Sequence, residues 1–134
     1  SEMCIRDSCV VPLMAKDNVD VITTGGKLDR VSHSYCGISA LSLMKRFSID
    51  KAFFSCNGLD LERGASEVAE IHAEFKENSL SVCREKILLC DSSKLGVRSL
   101  RFFCDLNSID TVITDSAADP EFLEKLRGAG LNVL

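Results

Sequence analysis

The residues best suited to chemistry are small, polar and grouped behind apolar runs. Thr23-Thr24-Gly25-Gly26-Lys27, Cys56-Asn57-Gly58-Leu59-Asp60, Asp91-Ser92-Ser93-Lys94 and Asp115-Ser116 each follow a stretch rich in β-branched or large apolar residues. Without a Cβ, Gly25 and Gly26 let the backbone approach a ligand and turn N–H groups toward an oxyanion. Lys94 supplies a point charge, and Ser92 and Ser93 neutral donors, for a phosphate or carboxylate. Asp60 and Asp91 accept hydrogen bonds when ionised and suit sugar hydroxyls. Such a set grips a small anionic ligand. Nucleophilic catalysis would need a Ser or Cys beside a base with an orienting carboxylate. Neither His33, in the polar run 30–34, nor His72, among polar neighbours, stands in that company, so no catalytic residue is assigned.

The elements that must position these loops are legible as alternating β-rich and amphipathic stretches. Strands are expected at 19–23, 51–56, 86–90, 111–114 and 131–134. The 86–90 run is apolar enough to be covered on both faces. Helices are expected at 37–47, with Ile38, Leu41, Leu43, Met44 and Phe47 inward, and at 67–84, with Val68, Ile71, Phe75, Leu80 and Cys83 inward. A last helix opens on Asp119 as cap and Pro120 at its first position, turns Leu123 and Leu126 inward, and ends at Gly128 or Gly130. The pattern is that of an open, mostly parallel α/β sheet with helices on both faces. In such a sheet all carboxyl ends lie on one edge, so the four polar loops should converge there.

Bulk properties narrow the partners. The chain has 134 residues, 46% of them apolar, enough for one domain. With 16 basic against 20 acidic residues the net charge is -4, and no basic cluster suits the polyanionic backbone of DNA. No apolar run reaches the roughly 20 residues of a membrane helix, and the start lacks the order of a signal peptide, which points to the cytoplasm and no membrane partner. The seven cysteines are scattered in apolar stretches without a C-x-x-C pair or His/Cys ligand spacing, the usage of reduced core thiols, so neither a metal nor a cofactor is expected. Residues 1–8, SEMCIRDS, resemble a translated sequencing adapter and are set apart as non-native, leaving 9–134 as a domain truncated at its N-terminus.

Taken in order, Thr24-Gly25-Gly26 with Gly37, the run 49–54, Asn57-Gly58-Leu59-Asp60 with Gly64, the element 88–96 (Leu-Leu-Cys-Asp-Ser-Ser-Lys-Leu-Gly) and the run 109–115 resemble the C-terminal sensor domain of DeoR-family transcriptional regulators. The Asp91-Ser92-Ser93-Lys94-Leu95-Gly96 element is the most specific part. The resemblance implies a ribose-5-phosphate-isomerase-like fold, of the superfamily that also holds CoA transferases. It implies a sugar-metabolism repressor whose DNA contacts come only through an N-terminal winged helix-turn-helix, absent here. A phosphorylated sugar would act as effector in a homo-oligomer. Carried over position by position, Gly25, Gly26, Asn57, Gly58, Asp60, Lys76 and Lys94 line the effector crevice, with Asp91 beside them. Lys76 is otherwise an ordinary helix lysine. Two departures stand out: Ala69 and His72 where the family commonly carries an asparagine and a glutamate, and no Asp-x-Gly-Thr-Thr phosphate loop. A sugar-phosphate isomerase or amino-sugar-phosphate deaminase of the same superfamily is the alternative; it would need a general base, for which Asp60, Asp91 and Asp115 are the candidates. A relative of the fold used only for subunit association is the third class.

Overall fold

The computed structural model describes residues 2–4, 7–30 and 34–134, in two compact units, Ser1–Phe47 and Ser48–Leu134. In the first unit β1 (Glu2–Cys4) runs parallel to β2 (Val21–Thr23), with α1 (Asp7–Met14) between them in sequence. β3 (Lys27–Asp29) and β4 (Ser34–Cys36) form an antiparallel pair with Leu28 opposite Tyr35, and α2 (Ile38–Met44) follows. Helix α2 is shorter than the periodicity over 37–47 implies. Ala40 is its buried residue, while Ile38 is 86% exposed rather than inward. His33 lies outside the described residues.

The second unit holds the parallel sheet. β5 (Ile49–Phe54), β8 (Cys83–Leu89), β10 (Thr111–Ile113) and β11 (Asn132–Val133) are all parallel, in the order β11-β10-β8-β5. Thus the α/β class and the mostly parallel sheet hold. A second, antiparallel layer, which periodicity did not reveal, consists of β6 (Gly58–Asp60), β7 (Gly64–Glu67) and β9 (Arg101–Cys104). Its strands are short, and β6 and β7 are polar and glycine-containing, so neither carries the alternation that marks a half-buried strand. The layers meet at Phe54 and Phe103, whose rings pack edge to face with centroids 6.1 Å apart. Leu59, Leu88, Val112 and Leu126 are fully buried in one cluster with them, each contributing about 1.5–3 kcal/mol of transfer free energy. On β8, Ile87 and Leu88 are buried, but Leu89 is 41% exposed, so the strand is not covered on both faces along its whole length.

Helix α3 (Glu70–Leu80) buries Ala73, Phe75, Ser79 and Leu80, whereas Val68 and Ile71, placed inward by sequence spacing, are exposed. The shift follows from Glu67: it ends β7, paired with Arg101, so the helix starts three residues later than expected and Cys83 already belongs to β8. Helix α4 (Pro120–Gly128) matches its sequence signals closely. The Asp119 carboxylate accepts from the Glu121 N–H at 3.1 Å, Pro120 opens the helix, and Leu126 is buried. At the other end Gly130 adopts φ +94° and the Leu131 N–H returns to the Leu126 carbonyl at 3.2 Å.

Gly64 sits where the β6–β7 hairpin packs under β9, with φ +84° and a hypothetical Cβ 2.1 Å from the Cys104 carbonyl oxygen. Gly64→Ala combines left-handed strain with a backbone clash and should destabilise the unit by about 3 kcal/mol, read from urea unfolding midpoints.

Candidate functional site

Parallel pairing brings the ends of β5, β8 and β10 to one edge, and with them the segments 55–60, 90–94 and 114–116. Three of the four polar loops therefore share an edge. The fourth does not follow a strand of this sheet: β2 takes β1 as its ladder partner, so Gly25 and Gly26 belong to the first unit, at φ +60° and +103° between β2 and β3. Asn57, Gly58, Asp60, Lys76, Asp91 and Lys94 all lie in the second unit.

The loop after β8 is built around its own aspartate. The Asp91 carboxylate accepts from the Ser93 backbone N–H at 3.0 Å and from the Ser93 hydroxyl, which folds Ser92–Lys94 into a single 3-10 turn. Those bonds to the charged form hold the Asp91 carboxyl below its ordinary range. From the neighbouring loop Asp115 accepts from the Ser92 N–H at 2.7 Å and the Ala117 N–H at 2.9 Å, and is likewise held low by these N–H donors, Ser92 first. Lys94 is half-buried on this turn, and among the described residues its ammonium makes no hydrogen bond or ion pair. On the strand beside it, the Thr114 hydroxyl is buried with no hydrogen-bond partner among the described residues, as is that of Thr24 in the first unit. Both threonines directly follow a parallel strand, and no local sequence pattern marks their unspent hydrogen-bonding capacity.

The remaining candidates are engaged within the unit. Asp60, 8% exposed, accepts from the backbone N–H groups of Glu62 and Arg63 at 3.0 and 2.9 Å through Oδ1, and from Arg98 Nε at 2.7 Å through Oδ2. The Arg98 guanidinium, which also donates to Glu62 at 2.8 Å, is the main reason the Asp60 carboxyl lies below its usual range. Arg98 stands 38 residues away, and no sequence pattern links the two. Gly58 is buried because the chain after the 3-10 turn crosses over it: a Cβ would come within 2.4 Å of the Val97 carbonyl oxygen. The Gly96 N–H donates to the Leu59 carbonyl at 2.8 Å and the Ser99 N–H to the Ser66 hydroxyl at 2.9 Å, so the whole stretch is tied to the hairpin. Asn57 accepts from the Val68 N–H at 3.2 Å. Lys76 reaches from α3 to donate to the Ser55 carbonyl at 2.6 Å and to the Glu67 carboxylate, in an ion pair whose side chains are only 17% and 9% exposed. It also lies 5.3 Å from the centre of the Phe103 ring. Lys76 is therefore not the solvated helix lysine that a charge stripe suggests. A separate cleft, lined by Glu77, Leu80, Lys86, Phe103, Asp105 and Ser108 among others, includes none of the carboxyl-edge residues.

A parallel sheet with cationic, hydroxyl and amide groups at one edge defines an α/β domain whose polar loops gather at the carboxyl ends of its strands. The comparisons specify which: residues 8–116 match the DeoR C terminal sensor domain, and the chain belongs to that family. It is 36% identical over 124 residues to the HTH-type transcriptional regulator GlpR of Haloferax volcanii, covering 92% of this chain and 48% of that protein. It is 33% identical over 113 residues to the L-fucose operon activator of Haemophilus influenzae (84% and 45%), and 29% identical over 122 residues to the HTH-type transcriptional repressor GlcR of Bacillus subtilis (91% and 47%). The chain thus spans about half the length of the curated relatives it matches.

Removing one partner of the Lys76–Glu67 pair leaves a buried, uncompensated charge. Lys76→Ala should cost about 3–5 kcal/mol, and the double change Lys76→Met/Glu67→Leu should recover most of it, measured by denaturant unfolding. Asp60 has a folded-state pKa below its unfolded value of about 3.9, so its contribution is complete above about pH 5 and is lost as pH falls through the folded value. Asp60→Asn should flatten the fall in thermal stability on acidification relative to wild type.

Proposed function

We propose that residues 9–134 form the effector-binding part of a sugar-responsive transcriptional regulator, and that the effector is a phosphorylated sugar or a close metabolite. The observation that carries this reading is the loop 91–96: a half-buried Lys94, without a hydrogen bond or ion pair among the described residues, on a turn at the carboxyl edge of a parallel sheet, where such folds take ligands. Lys94 holds the phosphate as a point charge, with the Thr114 hydroxyl as a further partner. Asp91 accepts from sugar hydroxyls. Asn57, Gly58, Asp60 and Lys76 shape the wall behind them. Binding involves no catalytic residue, and no cofactor takes part.

In the intact protein an N-terminal winged helix-turn-helix makes the DNA contacts, and effector binding alters DNA affinity within a homo-oligomer. Residues 1–8 are not native sequence in this reading. Such a regulator works in the cytoplasm; among the described residues no helix is long and apolar enough to cross a membrane. Family membership and the names of the relatives, one an activator and one a repressor, support regulation rather than catalysis without fixing its sign.

Full-length protein carrying this domain should be stabilised by its cognate sugar phosphate, by about 2.7 kcal/mol at a concentration 100 times the Kd. Differential scanning fluorimetry against a panel of aldose and ketose phosphates reads this directly. Lys94→Ala should abolish the shift with little change in the ligand-free Tm. An undiminished shift in the variant removes Lys94 from the site, and turnover of any panel member replaces the regulator reading with that of an enzyme.

A further inference from the structure

The carboxyl edge also brings together two cysteines that effector binding leaves unused. Phe54 on β5 lies opposite Leu88 on β8, and two residues beyond them, past the ends of both strands, come Cys56 and Cys90. Cys56 belongs to the same core cluster as Phe54 and Leu88, and Cys90 packs against that cluster. Neighbouring strands lie about 4.7–4.9 Å apart, inside the 4.4–6.8 Å Cα separation that a disulfide spans. Each thiol is the neighbour that perturbs the other most strongly.

The two are unequal. Cys56 is 6% exposed, and its thiol is pushed well above the ordinary range, by Cys90 first and by burial second. Cys90 is half-buried, and its contact with Cys56 holds it below the ordinary range against the opposing effects of burial and the Asp91 and Asp115 carboxylates, with Lys94 adding a smaller push in the same direction as Cys56. One sulfur is therefore reachable and inclined to ionise, while the other is hidden and holds its proton, the division of labour that reactive cysteine pairs use.

We propose that Cys56 and Cys90 form a peroxide-oxidisable dithiol, with Cys90 the attacking sulfur and Cys56 the resolving one. The Cys90 thiolate attacks one oxygen of hydrogen peroxide, the O–O bond breaks, and hydroxide leaves. Sulfur is oxidised to a sulfenic acid while peroxide is reduced. The Cys56 sulfur then displaces the sulfenic hydroxyl: an S–S bond forms, the S–O bond breaks, and the thiol proton departs with the hydroxyl as water. In sum, two thiols and one peroxide give a disulfide and two waters. The cross-link ties together the ends of two strands whose following segments carry Asn57 and Asp91.

The test treats the full chain with a modest excess of hydrogen peroxide, then unfolds it, alkylates the remaining thiols and maps the peptides by mass spectrometry. The expected result is a single cross-linked peptide pair holding Cys56 and Cys90, reversed by dithiothreitol. In Cys56→Ser, dimedone should trap a sulfenic acid on Cys90; in Cys90→Ser, Cys56 should remain a thiol. The proposal is overturned if both cysteines of the wild type stay alkylatable under conditions that oxidise the exposed Cys9, or if Cys56 is oxidised equally fast without Cys90. The wild-type map decides the matter even if either serine variant folds poorly.

Discussion

Asp60 is a charge drawn almost out of water, and much of the second unit is arranged around keeping it satisfied. Two backbone N–H groups of its own turn and the guanidinium of Arg98 occupy its oxygens. A buried carboxylate without such partners would cost several kcal/mol, so the hairpin turn and the returning chain at 97–100 must both be in place for the fold to be favourable. That requirement couples the antiparallel layer to the loop after β8. The same coupling appears in steric form at Gly58, where only a missing side chain lets the Val97 carbonyl come close enough.

The cations of the edge divide into two kinds. Lys76 is neutralised by Glu67 and pinned to the Ser55 carbonyl, and it serves to close α3 over the end of β5. Lys94 has no such partner among the described residues, though Asp91 lies near enough to feel its charge. An unpaired ammonium at a half-buried position leaves electrostatic capacity unused within the chain, and an anion is the natural complement. The aspartates follow a parallel division: Asp60 and Asp115 hold backbone in place, and Asp91 shapes the turn that presents Lys94.

Where local chemistry alone decides an element, the sequence announces it. The Asp119-Pro120 start and the glycine stop of α4, and the apolar run of β8, can be read without knowing anything distant. The loop 91–96 was likewise visible as a polar strand end. The hairpin β6–β7 and the strand β9 were not, because their short segments are stabilised by each other and by the core rather than by alternation. On α3 the expected inward stripe holds at Phe75 and Leu80 but not at Val68 and Ile71: pairing of Glu67 with Arg101 sets where the helix begins, so Val68 precedes it and Ile71 lies in its exposed first turn. At the site, types and spacing pointed to Lys94 and Asp91, but the union of Asp60 with Arg98 and of Lys76 with Glu67 depends on contacts across the fold that no local pattern encodes.

The stretch from 91 to 100 is fastened nearly throughout its length. Ser92 is held by Asp115, Leu95 and Gly96 by Leu59, Val97 by its seat over Gly58, Arg98 by Asp60 and Ser99 by Ser66. Among the described residues the tip at Ser93 and Lys94 has no hydrogen bond outside residues 91–97. Mechanically this is a stiff arm with a compliant end of two residues. A force applied at that end cannot dissipate in loop motion; it passes into the end of β10 through Asp115 and into the β6–β7 hairpin through Leu59 and Asp60.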